Sequence, residues 1–453
     1  DYKFMKLMNK IMMKNLILKG FSTILILIFI LIHLACPVPP EEKAKRDTTI
    51  NLEVLSTFTT TVSLHISVAD TTAEWTFGLT RNGEDILTST VYSSDTTFTD
   101  RSLNPGTQYA YQAQWLEHGV AVDTILTAIA NTMDTTSHNF VWIIDTLRIY
   151  GRYLNDMAII EENDVWVVGN IETDTATYNA AHWDGEAWDL IKIQPQGYVQ
   201  PIQCIYYFSE NDIWFGQGGL PIQWNGIEYY RYTPANSTHL GQPTIESIWG
   251  TSSSNMYFVG GSGSIVHYDG NEFVQMESRT NVDLKDVDGT PDGEHVFAVG
   301  WKQSGENIVL EFTGDAWNEL YYNELYLPTD STYGRVTAVG VFGDTATFST
   351  TAGLWKYNFI SQSSMIIPST VVKTYWLDII DISGVYENDI IIVSLGARIL
   401  HFNGMSWYRY ENITDTFGFQ NVYLNGGDIF RDFAIVVGYC CNGNHSIVVT
   451  GIR

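Results

Sequence analysis

A two-part motif recurs along residues 150–453, and it limits this chain to a small set of architectures. One half is a turn running into an aromatic, β-branched stretch that ends in Gly: Asp164–Gly169 (DVWVVG), Asp212–Gly218 (DIWFGQG), Asn255–Gly261 (NMYFVGG) and His295–Gly300 (HVFAVG). The other half sets two aromatics on either side of a tight turn: His182–Trp188 (HWDGEAW), Gln223–Tyr229 (QWNGIEY), His267–Phe273 (HYDGNEF), Glu311–Trp317 (EFTGDAW) and His401–Trp407 (HFNGMSW). The first aromatics fall at Trp183, Trp224, Tyr268, Phe312, Tyr357 and Phe402, at intervals of 41, 44, 44, 45 and 45 residues.

That period, with Asp-Gly and Asn-Gly turns between apolar runs, suits a four-stranded β-propeller blade. Asn-Gly and Asp-Gly accept the positive φ angles of a two-residue hairpin, so they join the two outer strands. The flanking aromatics then stack across the hairpin. Six copies are full in length, the fifth degenerate (Ala346–Asn358). A seventh, Phe433–Gly438 followed by His445–Arg453, is one strand short. Asn139–Asp145 (NFVWIID) reads as the missing fourth strand, and pairing it with the last strand closes the ring and removes its open edges. Seven blades over residues 138–453 are expected, closed by strand exchange.

The first 35 residues read differently. Lysines at 3, 6, 10, 14 and 19 precede an apolar run, Ile24–Ile32, that is too short for a spanning helix and fits a secretory signal, residues 1–35. Translation is expected to begin at Met5, Met8, Met12 or Met13. The run ends His33-Leu-Ala-Cys36, which resembles the lipobox of bacterial lipoproteins, with His33 where Leu is usual. The resemblance implies lipidation of Cys36, a membrane held through that lipid, and residues 36–47 as a semi-extended tether. Pro37 after the Cys implies outer-membrane or cell-surface display, with simple secretion as the alternative address. Without residues 1–35 the chain carries 19 basic against 50 acidic residues, a formal charge of −31. Such a balance opposes nucleic-acid binding, which needs basic patches against phosphate.

Residues 48–134 alternate polar and apolar in six or seven short stretches, the pattern of a β-sandwich. Within them Leu103-Asn-Pro-Gly-Thr-Gln-Tyr109-Ala-Tyr111 resembles the corner of a fibronectin type III domain. The resemblance implies that the Tyr109 hydroxyl ties the corner to nearby backbone and that the domain is a spacer. The Trp usual in the second strand is missing; Trp75 is the substitute. The whole chain is thus expected to be all-β, a fibronectin type III-like β-sandwich followed by the propeller. The blades themselves resemble the degenerate repeats of bacterial secreted propellers, which carries no particular function.

Chemistry is harder to place. Alignment of the channel-lining strands puts one polar residue in each blade near its start: Asn155, Gln203, Glu246, Lys285, Thr337, Asp378 and Gln420. Such a ring either holds a polar ligand or hydrates a channel. The long connections between blades add Tyr229, Tyr230, Tyr232, Tyr321, Tyr322, Tyr326, Tyr333 and Trp376, and of these Tyr322, Tyr326 and Trp376 join the ring as candidate ligand contacts. Aromatic faces of this kind serve sugars or peptides. Asp286–Glu294 misses the spacing of a calcium loop and reads as a turn. His182, His267 and His401 share one repeat position in different blades and read as structural. Cys204 lies in an apolar strand as a buried thiol; Cys440 and Cys441 admit either a vicinal disulfide or two thiols, with no His-rich cluster nearby to make a zinc site. No catalytic motif, metal site or cofactor is expected. The leading reading is a surface-anchored lipoprotein binding glycan, peptide or an envelope protein. A carbohydrate-active hydrolase or lyase using top-face carboxylates, with Glu246 or Asp378 the ones to substitute and no pair singled out, and a purely structural surface protein are the alternatives.

Overall fold

A computed structural model describes residues 49–69, 74–122, 126–149, 152–195, 197, 199–233, 243–323, 335–372, 379–410, 413, 421–441 and 445–453. The expectations for the signal, for Cys36 and for the tether lie outside these residues. The chain divides into two compact units. The described parts of residues 1–53, 65–97 and 110–128 make one, and Val54–Leu64, Phe98–Tyr109 and Ile129–Arg453 the other.

Residues 50–131 form two sheets. One contains the strands Ile50–Thr57, Val62–Val68 and Asp95–Asp100. The other runs Glu84–Val91, Trp75–Arg81, Gln108–Glu117, Val120–Ala121, with Leu126–Asn131 paired to Gln108–Glu117. Alternate residues are buried along Val62–Val68 and along Gln108–Glu117, as a one-faced strand requires. Trp75 is buried against Phe77 and Trp115, with ring centroids 5.3 and 5.8 Å away, and donates its indole N–H to the Ser93 carbonyl. The Tyr109 hydroxyl accepts the Asn104 backbone N–H at 2.9 Å.

The repeat region is a seven-bladed β-propeller. Blade 1 has the strands Tyr153–Glu161, Asp164–Glu172, Thr177–Trp183 and Trp188–Ile191; blade 2 has Cys204–Ser209, Asp212–Gln217, Leu220–Trp224 and Tyr229–Arg231. Blade 3 runs Ile245–Ser252, Asn255–Gly260, Ile265–Tyr268 and Phe273–Met276; blade 4 runs Leu284–Gly289, Val296–Trp301, Asn307–Phe312 and Trp317–Asn323. Blade 5, despite its weak motif, keeps four strands, Val339–Phe342, Thr345–Thr350, Gly353–Asn358 and Ser363–Pro368. Blade 6 comprises Ile379–Tyr386, Asp389–Ser394, Arg398–Phe402 and Trp407–Tyr410. Blade 7 takes Tyr423–Phe430, Phe433–Cys440 and His445–Ile452 from the end of the region and Val141–Ile149 from its start. The exchanged strand pairs antiparallel, from Val141 opposite Ile452 to Ile149 opposite His445.

A buried apolar cluster fills each interface between consecutive blades, including the one from blade 7 back to blade 1, where Ile435, Val437 and Val448 meet Leu154, Ile159 and Val167. The sequence motif makes these interfaces. Second strands such as Val165-Trp-Val-Val168 are buried on both faces, and so read as unbroken apolar runs rather than alternating ones. The turn glycines Gly185, Gly226, Gly270, Gly314 and Gly404 have φ between +83° and +97°, the region that favours glycine.

The Gly that ends the second strand has another cause. In blades 1, 3, 4, 6 and 7 the inner strand opens with a β-bulge, between Leu154 and Asp156, Ile245 and Ser247, Leu284 and Asp286, Ile379 and Asp381, and Leu424 and Gly426. Beside it, a Cβ on Gly169, Gly260, Gly300 or Gly438 would lie 2.3, 1.9, 2.1 or 2.0 Å from a backbone carbonyl oxygen of Tyr153, Thr244, Asp283 or Tyr423. Backbone cannot yield there as a flexible side chain would. Gly260→Ala is therefore expected to cost about 2–3 kcal/mol, read as a lowered urea midpoint; an unchanged midpoint would show that the bulge relaxes freely.

Candidate functional site

The β-bulges decide what the expected polar ring does. A bulge leaves one residue out of the ladder and re-aims its side chain. In blades 1, 3 and 4 that residue is Asn155, Glu246 and Lys285. Asn155 donates its amide to the Ile202 carbonyl of blade 2 at 2.8 Å, and the Thr337 hydroxyl donates to the Ile379 carbonyl of blade 6. Gln203 accepts the Gly218 N–H within blade 2 at 2.8 Å, and Lys285 meets Glu246 of blade 3 at 3.5 Å. Asn155, Thr337 and Lys285 thus hold blade to blade, and Gln203 braces its own blade.

Two positions of the ring, Asp378 and Gln420, lie outside the described residues; among those described, the bulges of blades 6 and 7 fall at Ile380 and Asn425. Asn425 repeats the pattern of Asn155, donating to the Leu154 carbonyl of blade 1 at 2.7 Å. Ile380 has no polar side chain, so the bulge of blade 6 offers none of these contacts.

The residues just past the bulges carry more charge. Asp156, Asp286, Asp288, Asp381 and Asp428, with Ser247 and Ser383, surround a central cavity of about 270 Å³. Each carboxylate receives backbone N–H groups, mostly from the next blade. Asp156 takes Met157 and Ile205, Asp286 takes Val287 and Val339, Asp288 takes Gly289 and Val341, and Asp381 takes Gly427, all at 2.7–2.9 Å. The Ser247 hydroxyl donates to Asp286 at 3.0 Å and the Ser383 hydroxyl to Asp428 at 2.5 Å. Burial nevertheless dominates: it pushes the carboxyl groups of Asp156 and Asp288 up to about 7, and raises those of Asp286, Asp381 and Asp428. Asp286 and Asp288 thus belong to an inner strand, and Asp292 accepts from Thr290 and Glu294 in the turn beyond.

The repeated histidines serve the blades that carry them. His182 meets Asp164, His267 meets Asn255 and His401 meets Asp389, each at 2.7 Å. Among the loop aromatics, Tyr232 stacks on Trp214 at 5.4 Å and Tyr229 packs on Trp224 at 4.8 Å. Tyr322 and Tyr230 remain 40% and 44% exposed on outer strands. Tyr326, Tyr333 and Trp376 lie outside the described residues.

A different place offers open, lined volume. Between blades 7 and 1, on the face of the 1–2 and 3–4 turns, lies a cleft of about 500 Å³ bordered by Ile143, Asp145, Glu162, Trp183, Trp188 and Asp432, with Arg453 at its inner end. In blades 3, 4 and 6 the second aromatic of the pair is covered by the blade before it, whereas Trp224 and Tyr229 of blade 2 stay half-buried. Trp214 and Tyr232 of blade 2 cover Tyr268 and Phe273; Tyr257 and Met276 of blade 3 cover Trp317, whose N–H reaches the Met276 sulfur at 3.4 Å. Phe273, Trp317 and Trp407 are consequently buried. Facing blade 1 across the cleft, blade 7 presents Ile143 and Asp145 from its exchanged strand, and Trp183 and Trp188, with centroids 5.6 Å apart, are half-exposed.

Arg453 is fixed at the end of this cleft. Its guanidinium meets Asp389 at 2.6 and 3.0 Å, Asp432 at 3.0 Å, and the carbonyls of Ser137 and Arg431 at 2.9 and 2.7 Å, over the Phe140 ring. Asp145 and Glu162 have no ion-pair partner among the described residues. The cleft therefore combines an indole floor with two uncommitted carboxylates. The sequence held one clue to it, the missing fourth strand of the seventh repeat, whose replacement brings Ile143 and Asp145 opposite blade 1.

No protein-family model matches the chain, and no curated protein matches it. Among solved structures, that of YCF48 bound to D1 peptide is similar over 71% of this chain and 98% of the other, at 12% identity and a TM-score of 0.52. The β-propeller domain of Cps50 (Swd1) from Myceliophteria thermophila covers 69% of this chain and 100% of its own, at 9% identity and a TM-score of 0.48. The GH74 enzyme of Niastella koreensis covers 66% and 53%, at 10% identity and a TM-score of 0.47. At such identities the likeness shows the fold alone.

Proposed function

We propose that this chain is a non-catalytic binding protein. In this reading it is anchored by lipid on Cys36 to the outer membrane or cell surface, and a fibronectin type III-like spacer precedes a propeller that captures a peptide segment of an envelope protein. The observation that carries it is the cleft between blades 7 and 1. Its volume lies within the range of small-ligand sites. Trp is the strongest aromatic partner for a cation, and Asp145 and Glu162 supply charge for the same group. An extended segment with a Lys or Arg beside an apolar residue satisfies Trp183, Trp188 and Ile143 together with both carboxylates. The formal charge of −27 for the whole chain favours a basic partner as well. The similar propeller of YCF48 is itself bound to a peptide, which supports the class of ligand. Glycan binding and hydrolysis find less support, because Glu246 is occupied by Lys285.

The test is calorimetric titration of the full chain with a library of short peptides carrying Lys or Arg between apolar residues. Binding is expected to weaken about 10- to 100-fold in Trp188→Ala and several-fold in Glu162→Gln. It is also expected to fall as salt is added, and to be unchanged in Tyr322→Ala. Peptide affinity indifferent to Trp188 and Glu162, or binding to a glycan panel alone, would overturn the reading.

A further inference from the structure

The hairpin between the second and third strands of blade 7 gathers three metal-ligating side chains. Cys440 ends one strand and lies directly opposite His445, which begins the next. Successive side chains on a strand point to opposite faces, so Cys441 is expected to turn away from Cys440. It does not, because its φ is +58°, an uncommon conformation for a residue other than glycine. That turn brings its sulfur to 3.1 Å from the sulfur of Cys440, and both are free thiols. The two sulfurs and an imidazole nitrogen of His445 all lie within 4.8 Å of one another. The sequence had separated the cysteines from any histidine cluster; the ladder register supplies the histidine.

A second observation points the same way. The Nδ1 atom of His445 is buried and has no hydrogen-bond partner among the described residues, whereas buried polar atoms are nearly always paired. Cys440 sits among Ile413, Val422 and Leu424 in the buried cluster between blades 6 and 7, so the sulfurs lie beside an apolar wall. Two thiolates and one imidazole form a soft, borderline donor set suited to Cu(I) or Zn(II), and poorly suited to the hard cations that prefer oxygen. About a tetrahedral zinc at about 2.3 Å, two thiolates stand roughly 3.7 Å apart. The pair therefore opens by a fraction of an ångström, within reach of side-chain rotation.

We propose that Cys440, Cys441 and His445 bind one thiophilic d¹⁰ metal ion. Each thiol gives up its proton to solvent as its sulfur takes the metal, and no electron is transferred. Binding accordingly tightens as pH rises. The proposal is independent of the peptide cleft, which lies on the opposite face of blade 7.

The test uses the full chain, reduced and kept free of oxygen, dialysed against buffered Zn(II) and, separately, buffered Cu(I). One equivalent of at least one metal is expected, with affinity lowered about 100-fold in Cys441→Ser and about 10-fold or more in His445→Ala. Cys204→Ser, which removes a thiol from blade 2, should bind as the parent does. Co(II) should give a thiolate charge-transfer band that Cys441→Ser abolishes while the far-UV circular dichroism is unchanged. Failure of the reduced parent to take up either metal would overturn the proposal. So would uptake that survives both Cys441→Ser and His445→Ala.

Discussion

Replacing Arg453 by Met is expected to lower the unfolding free energy of the propeller by about 3–5 kcal/mol, the usual cost of leaving a buried carboxylate without its partner. The guanidinium and the Asp389 side chain are 5% and 8% exposed, and the pair is bidentate. Burial alone would raise the Asp389 carboxyl. The hydrogen bonds from His401 and Arg453 outweigh it and hold the group below the usual carboxylate range. Arg453 also donates to the carbonyl of Ser137, just ahead of the exchanged strand. The residue thus fastens both ends of the strand exchange. Urea unfolding measures the loss, and adding Asp389→Asn to the Met variant should recover part of it, since no charge is then left buried and unpaired. A loss below about 1 kcal/mol would mean that the pair behaves as a solvent-screened surface bridge.

The second large effect is on pH. Asp156, Asp286, Asp288, Asp381 and Asp428 all have carboxyl groups raised by burial, two of them to about 7 from an ordinary value of 3.8. A raised group binds its proton more tightly in the folded than in the unfolded chain. Its contribution is complete below pH 4 and is lost as pH rises through the folded value. For a group moved from 3.8 to about 7 the loss is roughly 4 kcal/mol, since one pH unit is about 1.4 kcal/mol. Neighbouring groups share it rather than add it in full. Asp389 acts in the opposite sense: its stabilisation is present above its ordinary value and lost as pH falls through its depressed one. Stability should therefore peak near pH 4 and decline by several kcal/mol between there and about pH 7. Asp288→Asn should flatten that decline, although one of its two N–H partners then loses an acceptor. A urea midpoint that is constant or rises from pH 5 to pH 8 would contradict the burial of these carboxylates.

The architecture was legible because its determinants are local. Each Asp-Gly or Asn-Gly hairpin sets its own turn, each buried second strand announces itself as an apolar run, and the incomplete seventh repeat pointed to Asn139–Asp145. The site was less legible because it depends on bulges and on neighbours. Among the described residues the bulge of blade 6 falls at Ile380 and sets Asp381 at the cavity, and that of blade 7 falls at Asn425; the residue pattern alone marks neither. Of the aspartates facing the central cavity, Asp156, Asp286 and Asp381 stand one residue past a bulge and Asp288 and Asp428 three past one, where a register read without bulges assigns them no special place. Trp183 and Trp188 were visible as repeat aromatics. The sequence did not show that Ile143 and Asp145 of the exchanged strand line one cleft with them.

Hydrogen exchange of the full chain with and without a bound Lys-containing peptide tests the central claim most directly, since it locates the contact without assuming it. The account predicts slowed exchange in Val141–Asp145, in the Trp183–Trp188 hairpin and in Thr450–Arg453, with no change in the outer strands Tyr229–Arg231 and Trp317–Asn323. Protection confined to those outer strands or to the channel strands, with the cleft between blades 7 and 1 unaffected, would contradict it.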